Sequence, residues 1–202
     1  MADVYLNVAA VRLRTRVNGP GLRAAVWVQG CTIRCPGCFN PDTHPHVARE
    51  LWDPDILADR MLSGPVEGIS ILGGEPFEQA AACTILARRA RAAGKSVVTY
   101  SGYTADFLRG SPLPEVHDLL AASDLLIAGP YVASRSNDGR GWHGSTNQEF
   151  VFLTDRYGPE VLDQLDGIPV VEARADGREL DITGIPALTD LVHLSRLGQR
   201  QA

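Results

Sequence analysis

Apolar and polar residues alternate in blocks along the chain, and these blocks predict strands and helices in turn. Short runs rich in Val, Ile and Leu are typical of buried strands, whereas longer segments rich in Ala, Leu and Arg are typical of helices. The predicted strands cover residues 22–28, 66–72, 96–100, 124–128 and 149–153. The predicted helices cover residues 55–62, 79–93, 104–108 and 114–122. This order favours an α/β fold in which helices cover a parallel sheet.

Turn-forming residues mark the boundaries of these elements. Pro54 opens the first helix, where its missing N–H costs nothing, and Gly94 stands where a helix commonly ends. The tail predicts a further β-hairpin with a turn at Asp176-Gly177, closing one edge of the sheet, and an end that frays after about residue 197. We therefore expect a core domain over residues 1–153 and a C-terminal extension over residues 154–202, packed on the same domain.

Composition narrows the class of protein. The chain has 202 residues, of which 45% are hydrophobic and 21% charged, as expected for one globular domain. The net charge of −5 does not favour a nucleic-acid partner. No apolar run approaches the roughly 20 residues that span a bilayer, and the first residues do not form a signal peptide. These features predict a cytoplasmic protein without a membrane segment.

Cys31, Cys35 and Cys38 carry the clearest chemistry, with the spacing C-x3-C-x2-C. Three thiolates at this spacing can hold three irons of a [4Fe–4S] cube and leave the fourth iron open to a small molecule. S-adenosylmethionine (SAM) offers the amine and the carboxylate that such an iron can bind. A structural zinc site with His44 or His46 as the fourth ligand stays an alternative.

A disulfide scaffold is disfavoured, because it would leave a cysteine over and the chain is long. Cys83 lies in a predicted helix, where we expect a buried apolar filler.

Glycine-rich or polar loops follow the predicted strands. The cysteine loop follows the first strand, and Gly73-Gly74-Glu75-Pro76 follows the second. Tyr100-Ser101-Gly102-Tyr103 and Gly129-Pro130-Tyr131 follow the next two. Because the carboxyl ends of parallel strands meet at one edge, we expect these four loops to form one site.

These motifs together resemble those of a known family. The three cysteines are similar to the cluster motif of radical SAM enzymes, and Gly73-Gly74-Glu75-Pro76 is similar to their GGE motif. The order of the motifs resembles the activating enzymes of anaerobic (class III) ribonucleotide reductase, in the glycyl-radical activase branch, over residues 17–150. The further segments are Asn18-Gly19-Pro20-Gly21, Cys35-Pro36-Gly37-Cys38-Phe39-Asn40, Ser101-Gly102-Tyr103, Gly129-Pro130-Tyr131 and Trp142-His143-Gly144-Ser145-Thr146-Asn147-Gln148.

The resemblance implies a fold and a reaction. The fold would be a partial, open TIM-like β/α barrel with a short C-terminal β extension. The cube would bind SAM, and one electron from a reduced flavodoxin- or ferredoxin-type donor would cleave SAM to methionine and a 5′-deoxyadenosyl radical. That radical would abstract a hydrogen atom, in the activases from a glycine of a partner glycyl-radical enzyme. The cofactors supply this chemistry, and the protein positions them.

The resemblance also assigns roles to individual residues. Cys31, Cys35 and Cys38 would ligate the cube, and Glu75 would accept a hydrogen bond from the SAM ammonium. The alternative for Glu75 is a solvated turn carboxylate. The remaining residues expected at the cofactors are Gly37, Phe39, Gly73, Gly74, Thr99 and Ser101.

Some residues depart from the pattern of the activases, and alternative functions stay open. Ala128 stands where the activases usually carry Asp, and Asp124 or Asp138 would have to compensate. A stand-alone radical SAM enzyme acting on a small molecule or peptide stays an alternative, as does a non-catalytic Fe–S or zinc-binding module. A basic cluster in and just after the second helix predicts a solvated helix face, or alternatively a docking site for the electron donor; its members are Arg88, Arg89, Arg91 and Lys95.

Overall fold

In the described part of the chain, seven strands form one sheet and two more form a separate hairpin. The computed structural model describes residues 4–136, 141–165, 171–176 and 179–184. The strands are β1 Leu6–Thr15, β2 Arg23–Val28, β3 Glu50–Trp52, β4 Gly68–Gly73, β5 Ser96–Ser101, β6 Leu125–Ala128, β7 Glu149–Phe152, β8 Val171–Asp176 and β9 Glu179–Gly184. The helices are α1 Pro54–Leu62, α2 Ala80–Ala92, α3 Ala105–Arg109 and α4 Pro114–Ala122.

The large sheet has the strand order β3-β1-β2-β4-β5-β6-β7. Its four middle strands, β2, β4, β5 and β6, run parallel to one another. Strands β1, β3 and β7 are antiparallel to their neighbours. The predicted α/β class is therefore confirmed, but β7 departs from the predicted parallel sheet. The described chain between β6 and β7 holds no α-helix, and a direct return favours antiparallel pairing.

The predicted helices and middle strands are present, to within a few residues at each end. Asp53 caps α1 by accepting hydrogen bonds from the N–H groups of Asp55 and Ile56, and Gly94 follows α2 with a φ of 72°. The apolar pattern of the sequence did not predict β1 and β3. Strand β1 mixes buried and exposed positions and shifts its register against β2 twice, so its apolar pattern is irregular.

The two faces of the sheet differ in what covers them. The helices pack against one face, where residues such as Val26, Ile71 and Leu86 share the main hydrophobic core. Cys83 belongs to this core and is fully buried, which raises the pKa of its thiol and confirms the predicted filler role. The other face, here called the inner face, carries aromatic side chains, among them Trp27 and Tyr100.

The C-terminal strands β8 and β9 pair only with each other among the described strands. The edges of the large sheet are β3 and β7, so the predicted hairpin is confirmed but its predicted place at the sheet edge is wrong. Of the predicted turn, Asp176 ends β8, whereas Gly177 lies outside the described residues, as does the tail from residue 185. No helix in the described part of the chain is both long and apolar enough to cross a membrane.

Candidate active site

A cavity of about 560 Å³ opens at the carboxyl ends of the parallel strands. The loops that follow β2, β4, β5 and β6 all border it, as the sequence predicts. Cys31, Cys35 and Cys38 line one side, and Gly73, Gly74 and Glu75 line another. The cavity continues along the inner face past Trp27 and Leu72.

Backbone hydrogen bonds fix the start of the cysteine loop. Cys31 donates its N–H to the carbonyl of His44 at 3.1 Å, and Gly30 donates to the carbonyl of Thr43 at 2.8 Å. Burial raises the pKa of the Cys31 thiol, and N–H groups of Arg34 and Ile33 oppose that rise. The pKa of Cys38 is also raised by burial, against a hydrogen bond from the Asn40 N–H at 3.4 Å. Such N–H donors would stabilise sulfur ligands in the thiolate form.

The donor set fits an iron–sulfur cluster better than a single zinc ion. All four cysteines are free thiols. In the described ranges, no three His, Cys, Asp or Glu side chains converge on a point where one metal ion would sit. A cube distributes its thiolate ligands over separate irons and does not need that convergence. His46 bonds Glu78 at 2.8 Å, which engages one of the two histidines that could complete a zinc site.

Glu78 ties the cysteine loop to its surroundings, a role that sequence reasoning missed. Its carboxylate accepts hydrogen bonds from the Thr32 N–H at 2.8 Å, from the Thr32 hydroxyl and from His46. Burial alone would raise the pKa of Glu78, but the bonds from Thr32 and His46 outweigh it and lower that pKa. The local sequence around Glu78 does not predict these contacts, because His46 and Thr32 lie 32 and 46 residues away from it along the chain.

Glu75 lies completely buried beside the cavity. Its carboxylate accepts hydrogen bonds from the Phe77 N–H at 3.0 Å, the Ser101 hydroxyl at 3.0 Å and the Gly102 N–H at 2.8 Å. Burial raises the pKa of Glu75 to about 7, although these donors oppose the rise. The alternative of a solvated turn carboxylate is therefore wrong.

Gly73 and Gly74 allow two strand ends to approach closely. A Cβ on Gly73 would lie 2.6 Å from the Trp27 Cα, and one on Gly74 would lie 2.2 Å from the Gly30 carbonyl oxygen. Gly74 and Glu75 donate their N–H groups to the carbonyls of Val28 and Gly30, each at 2.8 Å. The glycines thus hold the loop after β4 against the loop after β2, which places Glu75 beside the cysteine loop.

The remaining predicted cofactor residues divide into two groups. Gly37, Phe39 and Ser101 line the cavity. The Phe39 ring contacts Tyr131, with ring centroids 4.9 Å apart. Thr99 does not line the cavity, because its hydroxyl bonds the Ser123 hydroxyl at 2.7 Å in the buried space at the end of α4. The structure does not bring Thr99 to this cavity, and its expected contact with a cofactor stays a prediction.

The loop between β6 and β7 is ordered by its own polar side chains. Gln148 accepts a hydrogen bond from the Gly144 N–H and donates one to the Gly129 carbonyl, both at 2.8 Å. Ala128 is buried in the main core. Asp124 does not replace a carboxylate there, because it begins β6 at the other end and accepts the Val97 N–H at 2.8 Å. Asp138 lies outside the described residues.

The basic residues of α2 contact neighbouring helices. Arg88 pairs with Asp118 at 2.7 Å, and Arg89 pairs with Asp55 at 3.1 Å and with Asp59. Arg91 donates a hydrogen bond to the Ala121 carbonyl at 2.9 Å. These exposed contacts agree with the predicted solvated face and give no support to a docking site for an electron donor.

Comparison with known proteins places the chain in a family. Residues 17–151 match the family described as "4Fe-4S single cluster domain". The anaerobic ribonucleoside-triphosphate reductase-activating protein of Salmonella typhimurium is 33% identical over 143 residues, which cover 65% of this chain and 89% of that protein. Its Escherichia coli K12 counterpart is 32% identical over the same shares. The pyruvate formate-lyase-activating enzyme of Listeria monocytogenes is 34% identical over 85 residues, or 39% of this chain and 34% of that enzyme.

The family match covers more than half of the chain and includes the cysteine loop and Glu75. The chain therefore belongs to the 4Fe-4S single cluster family and, within it, to the radical SAM activating enzymes of the glycyl-radical type, which use a [4Fe–4S] cluster and SAM.

Proposed function

We propose that this protein activates an anaerobic ribonucleotide reductase by generating a glycyl radical in it. One observation carries the proposal: three free cysteines and a buried carboxylate border the same cavity at the carboxyl ends of parallel strands. The reductase-activating relatives support this partner over pyruvate formate-lyase, because the match covers 89% of the first and 34% of the second.

The cofactors supply the radical chemistry when bound: one electron passes through the cluster to SAM, which yields methionine and a 5′-deoxyadenosyl radical that takes a hydrogen atom. Cys31, Cys35 and Cys38 would hold the cluster. Glu75 would accept a hydrogen bond from the SAM ammonium, in addition to those it accepts from Ser101 and Gly102. Gly37, Gly73 and Gly74 would border the cofactors without side chains of their own.

The inner face supplies the apolar part of the site. Trp27 and Leu72 line the cavity below the cysteine loop, and Trp142 closes it from the loop before β7. Apolar walls exclude water, which protects a reactive carbon radical from side reactions. We also propose that the inner face is the interior of a shortened, open β/α barrel. The supporting observation is that four successive parallel-strand loops border one cavity.

The electron donor is part of the proposal. A reduced flavodoxin- or ferredoxin-type protein would deliver one electron at the cysteine loop, where Pro36 and Gly37 are exposed.

The four free thiols suit a reducing compartment such as the cytoplasm.

The test is an anaerobic reconstitution with iron and sulfide, followed by reduction with dithionite and addition of SAM. We expect 5′-deoxyadenosine, separated by chromatography, and a glycyl radical signal by electron paramagnetic resonance when the organism's own class III reductase is added. Formation of 5′-deoxyadenosine without any glycyl radical would favour a stand-alone enzyme acting on a small molecule or peptide. An intact, reduced cluster that never cleaves SAM would favour a non-catalytic module.

A further inference from the structure

The C-terminal hairpin borders the same cavity as the cysteines. Ile182, Thr183 and Gly184, at the end of β9, line it together with Cys31 and Glu75. The family match ends at residue 151, and 65% of this chain aligns with its reductase-activating relatives. The hairpin therefore adds a wall that the matched region does not contain.

Two hydrogen bonds hold the hairpin against the segment between β1 and β2. Glu172 accepts the Arg16 N–H at 2.9 Å, and the Thr183 hydroxyl donates to the Asn18 side-chain oxygen at 3.1 Å. Glu172 and Thr183 are directly opposed in the pairing of β8 with β9, so their side chains leave the same face of the hairpin. Thr183 and Asn18 are each 5% exposed, so this contact is buried.

The position of Asn18 shows which part of the cavity the hairpin reaches. The Asn18 carbonyl accepts a hydrogen bond from the hydroxyl of Ser70, on the inner side of β4. Ser70 precedes Gly73 by three residues, which is roughly 10 Å along a strand. The hairpin thus reaches the cavity roughly 10 Å along the strands from the edge that carries the cysteine loop.

Successive residues of a strand point to opposite faces. Ile182, Thr183 and Gly184 all border the cavity, so residues from both faces of β9 reach it. Among the described strands β9 pairs with β8 alone, which leaves its other edge without a strand partner. Such an edge offers peptide groups to an extended polypeptide, which can bind by main-chain hydrogen bonds.

Cys31, Cys35 and Cys38 would hold the cluster at one side of the cavity, and SAM bound there would occupy the rest of it, between the cysteine loop and the hairpin. A group that gives up a hydrogen atom to the adenosyl carbon of SAM must approach from the side away from the cluster. We propose that the C-terminal hairpin is the substrate-side wall of the site, where the edge of β9 binds the extended, glycine-containing segment of the partner protein. This inference rests on the proposed function.

The test compares variants of Thr183 with a control on the same hairpin. Thr183→Val keeps the shape of the side chain and removes its bond to Asn18, whereas Thr183→Ser keeps the hydroxyl. Ala173→Ser changes an exposed residue of β8 and is the matched control. Far-ultraviolet circular dichroism and thermal melting establish that each variant is folded.

Three quantities are measured on reconstituted enzyme with the organism's own class III reductase. The first two are the KM for the reductase and the KM for SAM in glycyl radical formation. The third is the Kd of the reductase, measured by calorimetry in the presence of SAM. We expect Thr183→Val to raise the KM and Kd for the reductase about tenfold, because the bond to Asn18 then no longer holds the edge of β9 in place. The KM for SAM should change less than twofold, and Thr183→Ser and Ala173→Ser should resemble the wild type.

A rise in the KM for SAM with an unchanged Kd for the reductase would overturn the inference, because the hairpin would then border SAM. Unchanged values for all variants would overturn it as well and leave the hairpin a purely structural element. Either result would leave SAM cleavage by the wild type intact. A wild type that never cleaves SAM would instead disprove the proposed function.

Discussion

Glu75 and Arg23 are both fully buried charged side chains, and they lie at opposite ends of the same parallel strands. Arg23 begins β2, where its guanidinium donates hydrogen bonds to oxygens of Ser70, Ser96 and Tyr157, among others. Glu75 follows β4 at the other end and accepts bonds from Phe77, Ser101 and Gly102. Each charge is surrounded by polar groups of the protein, as buried charges must be.

Glu75 and Arg23 differ in whether the charged group borders the cavity. Glu75 borders the cavity, whereas Arg23 is enclosed by the start of the sheet and does not line it. Burial shifts both groups toward their neutral forms: it raises the pKa of Glu75 to about 7 and lowers the pKa of Arg23. A buried charge therefore does not by itself mark a functional site. Its access to a cavity distinguishes the binding end of the sheet from the structural end.

The largest expected effect is loss of the cluster, which should follow substitution of a cysteine at the binding end of the sheet but not of the cysteine in the core. Cys35→Ala should abolish the broad absorbance near about 400 nm after anaerobic reconstitution, because an intact cube needs all three thiolates. Cys83→Ala should leave that absorbance unchanged, since Cys83 is buried among apolar side chains. Iron content and SAM cleavage measured on the same samples check the comparison. A normal absorbance spectrum of the Cys35→Ala protein would disprove that these three cysteines ligate the cluster.

Arg23→Met tests the structural end. It should lower the free energy of unfolding by about 3 kcal/mol, because buried carbonyl and hydroxyl oxygens lose their donor. Urea denaturation measures the loss. Arg88→Met is the control, since Arg88 forms an exposed ion pair with Asp118 and should change stability by less than about 0.5 kcal/mol. Equal losses for the two variants would contradict a special role for the Arg23 network.

Local patterns predicted the binding end better than the structural end. The loops after the strands could be placed together because parallel strands share one edge, and the cysteine spacing and Gly73-Gly74-Glu75 were readable within a few residues. The burial of Glu75 could not be read, because its partners Ser101 and Gly102 lie 26 and 27 residues away. The Arg23 network was invisible for the same reason, since Tyr157 follows 134 residues later.

Other features could not be predicted because their cause lies in packing. The periodicity of β5 gives Thr99 and Ser101 similar hydroxyl positions, and only the neighbouring groups Ser123 and Glu75 distinguish them. The hairpin itself was predicted from its apolar runs and turn. Its docking against Arg16 and Asn18 depends on contacts over more than 150 residues of sequence, for which the pattern gives no signal.

Glu75→Gln tests the binding end. SAM affinity should weaken about thirtyfold, because the amino group of SAM loses a charged acceptor while a neutral amide of the same shape remains. The free energy of unfolding should change by about 1 kcal/mol or less, in contrast to Arg23→Met. Equilibrium binding of SAM to the reconstituted, unreduced protein measures the first quantity, and urea denaturation the second. An unchanged Kd with a large loss of stability would make Glu75 a structural residue like Arg23.

The pH dependence of SAM binding sharpens the same point. The ordinary carboxyl pKa is 4.5, and that of Glu75 is raised to about 7, so the group is mostly neutral at pH 6 and mostly charged at pH 8. The charged carboxylate accepts a hydrogen bond from the amino group of SAM more strongly than the neutral carboxyl does, so SAM binding should tighten about tenfold as pH rises through 7 and should release a proton from Glu75. Without SAM, the stability that this raised pKa contributes is present below pH 4.5 and is lost as pH rises through 7. Calorimetry in buffers of different ionisation enthalpy measures the proton, and Glu75→Gln should remove both effects.

The smallest expected effect comes from two hydroxyls that are two residues apart on β5. Ser101→Ala removes a donor to Glu75 and should weaken SAM binding about threefold, because the carboxylate is then less well oriented. Thr99→Val removes the bond to Ser123 on the helix-covered side and should cost about 1 kcal/mol of stability without changing the Kd for SAM. Both hydroxyls are buried, so the pair separates a contact near the cavity from an equivalent contact away from it. If Thr99→Val bound SAM more weakly but had the same stability as the wild type, Thr99 would contact the cofactor, and the cofactor would extend beyond the cavity.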